Sequence, residues 1–194
     1  LPCKVTCNPD PPCSRKGCKL FSLESYRENY RESNARNLRL WRENPREYWQ
    51  YIKAWIHFRK PEFFRPSVCG DMPDANYVSQ WLDVCRECPD TAFAAFTKQP
   101  HLLEVKPSEK PDNFTIIASQ WPGWRYYNPH DYPTSWVYGL NIPAMFEPRI
   151  PAHAFACNGQ CQTCRRTPDS TVPLCWELKP GEAIKFRYSY EKDR

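Results

Sequence analysis

Between residues 21 and 60 the apolar positions Leu38, Leu40, Trp41, Trp49, Ile52, Trp55 and Ile56 recur at helical spacing with few breakers between them. Asn44-Pro45 interrupts the run, and proline suits the first turn of a new helix, where its missing N–H would have no partner in any case. The pattern predicts two helices, about 22–43 and 45–59. Then the period changes. Short apolar runs at 63–71, 91–97 and 114–119 read as buried strands, whereas 74–88 opens on a capping Asp74 and sets Tyr77, Trp81, Leu82 and Cys85 on one helical face. A helical turn is expected at 100–105 and further strands at 135–140 and 183–188, the last after the turn at Pro180-Gly181. Strands alternating with helices predict crossover units and a parallel sheet, hence an α/β fold. Residues 121–133, rich in aromatics, Pro, Asn and Gly, read as a long loop of the kind that docks or covers ligands. Residues 155–175 read as irregular backbone wound around cysteine ligands.

The length of 194 residues fits one domain with a core of its own, divisible into a cysteine loop at 1–20, a β/α core at 21–150 and a second cysteine loop with a final strand at 151–194. No apolar stretch approaches the roughly 18–20 residues of a membrane span, and the polar, cysteine-rich start is unlike a signal peptide. Eleven cysteines is an odd number that full disulfide pairing would leave with a stranded thiol, so a reducing cytoplasm is the expected location. The net charge of +5 is spread among acidic residues as a mixed, solvated surface and names no partner.

Composition changes the picture through those cysteines. Eight of the eleven form two groups of four, Cys3, Cys7, Cys13 and Cys18 near one end and Cys157, Cys161, Cys164 and Cys175 near the other. Four thiolates satisfy a [4Fe–4S] cluster or a tetrahedral zinc, so each group could close one site, and zinc stays open as the alternative metal. The second group begins C-x3-C-x2-C, and Gly159 gives its loop the freedom to wrap a cluster corner. Radical S-adenosylmethionine enzymes use that spacing, leaving one iron open for the cofactor. Here it follows the expected sheet and Cys175 can fill the fourth position, which favours a closed cluster. In the first group Pro9, Pro11 and Pro12 predict an extended, non-helical segment.

Cys69 stands in Ser67-Val68-Cys69-Gly70-Asp71 at the end of an expected strand, where α/β proteins place ligand-contacting groups. It is a candidate extra thiolate or a partner for Asp71 in acid–base work, against the bland reading of a buried thiol. Cys85 and Cys88 share a helical face and read as packing more readily than as a redox pair. His153, four residues before Cys157, is a candidate ligand or supporting donor, and His57 reads as structural. No Gly-rich phosphate loop, serine nucleophile elbow or His-Glu-x-x-His motif is present, which removes support for hydrolase readings.

The order of an N-terminal cysteine group, Arg36-Asn37-Leu38, Ser67-Val68-Cys69-Gly70-Asp71, Phe96-Thr97-Lys98 and a cysteine cluster ending in Cys175-Trp176 resembles the phage gene product 88 proteins, similar in turn to radical-SAM-like partial barrels. The resemblance implies an iron–sulfur protein on a partial β/α barrel with parallel strands. It puts Cys7, Cys13 and Cys18, with Cys3 as a fourth, at the leading cluster, and Asp71 and Lys98 at strand ends. The x5, x4 spacing departs from the radical-SAM pattern and no Gly-Gly-Glu-type strand follows, so cleavage of S-adenosylmethionine is not implied. If the chain is an enzyme, Asp71, Lys98 and Cys69 are expected to line the site for an unidentified small molecule or electron donor. The competing class is a zinc-stabilised module that stacks Trp121, Trp124, Tyr126 and Tyr127, with Arg125, on single-stranded nucleic acid.

Overall fold

The computed structural model describes residues 1–7, 27–67, 70–120, 127–138, 153–157 and 178–187. Their elements are α1 (Cys3–Thr6), α2 (Glu28–Glu43), α3 (Pro45–Arg59), β1 (Phe63–Phe64), α4 (Ala75–Glu87), β2 (Ala92–Thr97), α5 (Pro100–Leu103), β3 (Phe114–Gln120), β4 (Thr134–Tyr138), β5 (Phe155–Cys157) and β6 (Ala183–Arg187). Six strands form one sheet in the order β1-β2-β3-β4-β6-β5, and every pairing is parallel. The fold is α/β, as the alternating pattern predicts. Among the described residues no helix is long and apolar enough to cross a membrane.

Local chemistry sets the helix limits. Asn44 ends α2 by donating its N–H to Leu40 O at 2.8 Å, and Pro45 starts α3. Helix α3 closes on Lys60 in the left-handed region (φ 43°), whose N–H reaches Ile56 O at 2.8 Å. Asp74 caps α4 by accepting Tyr77 N–H at 2.7 Å.

Three expectations need correction. Among the described residues of the strand expected over 63–71, Phe63 and Phe64 alone pair, because Pro66 removes a donor and Ser67 and Gly70 take positive φ (55° and 76°), which turns the chain off the sheet. Cys3–Thr6 is a helical turn instead of extended backbone, closed by Thr6 N–H on Pro2 O at 3.2 Å. Within the stretch expected to be irregular, Phe155–Cys157 forms β5 by pairing with Ile184–Phe186. Three residues are too few to show a period.

The core lies between the sheet and helices α3 and α4. Tyr48, Trp49, Tyr77 and Trp81 form a ring cluster with centroids 5.0–6.5 Å apart, and the Tyr48 and Tyr77 hydroxyls share a 2.8 Å hydrogen bond. Phe93, Ala95, Phe114, Ile116 and Ala118 meet this cluster. Ala94, Thr115 and Ile117, which alternate with them, are buried as well, as expected of a parallel sheet covered on both faces.

The end of α4 is tied to β3 by Asn113, whose Nδ2 donates to the carbonyls of Cys85, Cys88 and Thr91 at 2.9, 3.0 and 3.0 Å. Asn113→Ala removes these bonds while the Cys85 and Cys88 carbonyls keep the N–H groups of Cys88 and Thr91, and is expected to cost about 1–2 kcal/mol in urea unfolding. A cost near zero would mean that water replaces the amide.

Candidate site at the strand ends

All six strands run the same way, so their C-terminal ends share one edge of the sheet. The chain leaves β1 there through Arg65, Ser67 and Asp71, and leaves β2 through Thr97, Lys98 and Gln99. Asp71 joins these exits. Its Oδ1 accepts from Thr97 Oγ1 at 2.7 Å and Met72 N–H at 2.8 Å, and its Oδ2 accepts Lys98 N–H at 2.9 Å. Thr97 Oγ1 in turn accepts Gln99 N–H at 2.9 Å. Burial pushes the Asp71 carboxyl above its ordinary range, and the bonds from Lys98, Thr97 and Met72, with the Lys98 charge, oppose that shift without cancelling it.

The N-terminal turn is seated on this carboxylate site. Thr6, 2 % exposed, accepts Asp71 N–H at 3.2 Å on its hydroxyl and donates that hydroxyl to Pro2 O at 2.9 Å. Its carbonyl accepts Gln99 Nε2 at 2.9 Å. Gly70 leaves room for the turn. With φ 76°, it would place a Cβ 2.6 Å from Leu1 O and also against Thr6 Oγ1. Cys7, the next residue, is a free thiol of intermediate exposure and is therefore carried to the ends of β1 and β2.

The sequence-predicted site residues fall into three groups. Asp71 and Lys98 are joined through the Lys98 N–H. Cys3 opens α1, Cys7 follows it, and Cys157 is the last residue of β5, at the far end of the sheet but on the same C-terminal edge. Cys13, Cys18, Cys69, Cys161, Cys164 and Cys175 lie outside the described residues, as do Trp121, Trp124, Arg125 and Tyr126. Among the described residues no three His, Cys, Asp or Glu side chains gather into a metal site.

Cys85 and Cys88 pack in the core. Cys85 and Cys88 are both free and buried, and burial raises both thiols further. Cys88 Sγ lies 3.9 Å from Nε2 of His57. His153 is exposed, with its Nε2 3.3 Å from Gly181 O. The residues that sequence reasoning misses are Thr6, Gly70 and Gln99, because their contacts span the length of the chain.

These features define an α/β protein with a parallel sheet whose strand ends are closed by a cysteine-bearing N-terminal turn. Residues 1–130 match the family described as Gene product 88, and the chain belongs to that family of phage proteins. The match takes in the first cysteine group, Asp71 and Lys98, and stops before β4 and the second cysteine group. No curated protein and no solved structure matches the chain.

Proposed function

We propose that the chain is an iron–sulfur protein acting in the host cytoplasm, with one [4Fe–4S] cluster held by Cys3, Cys7, Cys13 and Cys18 and another by Cys157, Cys161, Cys164 and Cys175. The observation that carries this reading is the seat of the N-terminal turn. A buried threonine, a glutamine and a glycine that tolerates no Cβ fix the segment bearing Cys3 and Cys7 at the strand ends, where α/β folds bind their ligands. That investment in a cysteine-rich segment suits a ligand set better than a loose terminus.

The two groups belong to separate clusters in this reading, since β1 and β5 are the two edges of the sheet, on the order of 20 Å apart at ordinary strand spacing. The sequential parallel order β1-β2-β3-β4 supports the finer proposal of a partial β/α barrel of the radical-SAM-like kind. A cluster supplies one-electron chemistry when bound, so the enzyme class, if the chain is catalytic, is an oxidoreductase. Asp71 takes a positioning role here: it is buried and its carboxylate already accepts three hydrogen bonds. Lys98 is a cationic residue at the same strand ends, suited to an anionic substrate.

Cysteine variants test the assignment. Cys7→Ser and Cys161→Ser are each expected to lower bound iron by about half, and the double variant to abolish it, following from four thiolates per cluster. Cys85→Ala and Cys88→Ala should leave iron unchanged. Full iron in both of the first two variants would refute the ligand sets, and zinc in place of iron would favour the nucleic-acid-binding module.

A further inference from the structure

A cavity of about 670 Å³ opens between α2, α3, α4 and the exit of β1, a size suited to a small organic ligand. Three buried polar atoms on its wall have no hydrogen-bond partner: Arg65 Nε, Ser67 Oγ and Trp81 Nε1. Trp81 is only 2 % exposed, so water cannot readily reach its N–H. Buried donors without partners are rare in folded proteins and point to an absent acceptor. Tyr77 supplies it only in part: burial raises its hydroxyl, and hydrogen bonding from Tyr48 at 2.8 Å, with weaker, poorly aligned approaches from Trp81 and Ser67, opposes that shift.

The charge on the wall has one sign. Arg65 and Arg36 both line the cavity, and among the described residues no Asp or Glu does. Arg65 is steadied by the ring of Phe96, 4.4 Å from its guanidinium carbon, and Arg36 by Ser33 Oγ at 3.2 Å. Arginine forks and convergent N–H and O–H donors are the usual partners of phosphate.

The mouth has a different chemistry. Tyr30, Tyr51 and Trp55 are 41 %, 62 % and 48 % exposed, three large aromatic side chains left in water around one opening. Such rings offer faces for stacking a flat unsaturated group. A cationic, donor-lined wall beneath an aromatic rim fits a ligand that is anionic at one end and planar at the other.

We propose that this cavity binds a small phosphorylated molecule with a planar aromatic ring, of the mononucleotide class. The phosphate meets Arg65 and Arg36, and the ring stacks at the rim. The site is independent of the cluster reading, and iron-free protein is expected to keep it.

The test is a calorimetric titration of the full chain with nucleoside monophosphates, the parent nucleosides, inorganic phosphate, benzoate and a short single-stranded oligonucleotide. A monophosphate is expected to bind in roughly the micromolar to submillimolar range, at least about tenfold tighter than nucleoside or phosphate alone. Arg65→Gln and Arg36→Gln should each weaken the monophosphate about ten- to hundredfold, as loss of a charge-assisted bond implies, with little effect on the nucleoside. Tyr51→Ala should weaken both about fivefold or more through lost stacking. Arg36 and Tyr51 are exposed, so these two variants preserve the fold and keep the test decisive. No monophosphate binding at millimolar concentration, or binding indifferent to Arg36→Gln and Tyr51→Ala, overturns the proposal. A preference for benzoate overturns the phosphate assignment, and binding of the oligonucleotide alone shows a polymer surface instead.

Discussion

Asp71→Ala is expected to cost about 3–5 kcal/mol of folding stability, since it removes the common acceptor of the Thr97 hydroxyl and the Met72 and Lys98 N–H groups in a site 6 % exposed. Asp71→Asn is the sharper variant. Its carbonyl can keep the Thr97 and Met72 bonds, but its amide would face the Lys98 N–H donor to donor, so it should recover only part of the loss. The effect also depends on pH. Burial raises the folded carboxyl, so above the ordinary value near 3.9 the unfolded chain releases a proton that the folded chain still holds. The stability that Asp71 adds through its raised value is full below about pH 3.9 and is lost as pH rises through the folded value. The difference between wild type and Asp71→Ala in urea unfolding is therefore expected to shrink from acid to neutral pH. A difference under about 1 kcal/mol, or one that grows with pH, would deny Asp71 this role.

Gly70→Val carries the second large effect and connects stability to the cysteine site. A β-branched residue at φ 76° costs about 1–3 kcal/mol in strain, and crowding against Leu1 O and Thr6 Oγ1 adds about as much. The crowding is relieved when α1 leaves its seat, and Cys3 and Cys7 leave with it. Iron per chain should fall by about half although no cysteine is changed. Gly181→Ala is the matched control, because Gly181 has a similar φ of 78° but its nearest contact to an added Cβ is Asp131 Oδ2 at 3.6 Å. It should cost strain and leave iron intact. A folded Gly70→Val chain with full iron would separate the N-terminal turn from metal binding.

What the chain declares locally is legible in its sequence. Pro45 marks the break between α2 and α3, Asp74 marks the start of α4, and the Thr97-Lys98 pair marks the end of β2, because caps and strand ends depend on neighbours a few residues away. The i, i+3 spacing of Cys85 and Cys88 likewise foretells their packing. The clamp itself is not legible. Thr6 reaches Asp71 across 65 residues and Gln99 reaches Thr6 across 93, and no periodicity encodes contacts of that range. Strand β5 is hidden for a related reason: its three residues become a strand through the ladder that β6 offers, with no β pattern of their own. The cavity over Arg65, Ser67 and Trp81 escapes a linear reading as well, since its donors are an ordinary tryptophan of an amphipathic helix and two residues of a turn until the fold buries them without partners.

The central claim is that both cysteine groups hold iron–sulfur clusters, and it is tested most directly by measuring iron, zinc and acid-labile sulfide per chain on anaerobically purified protein, with absorption spectra before and after dithionite. About eight irons and eight sulfides, with a broad band near about 400 nm that bleaches on reduction, is the predicted result for two [4Fe–4S] clusters. Zinc without sulfide, or a colourless protein free of both metals, would contradict it.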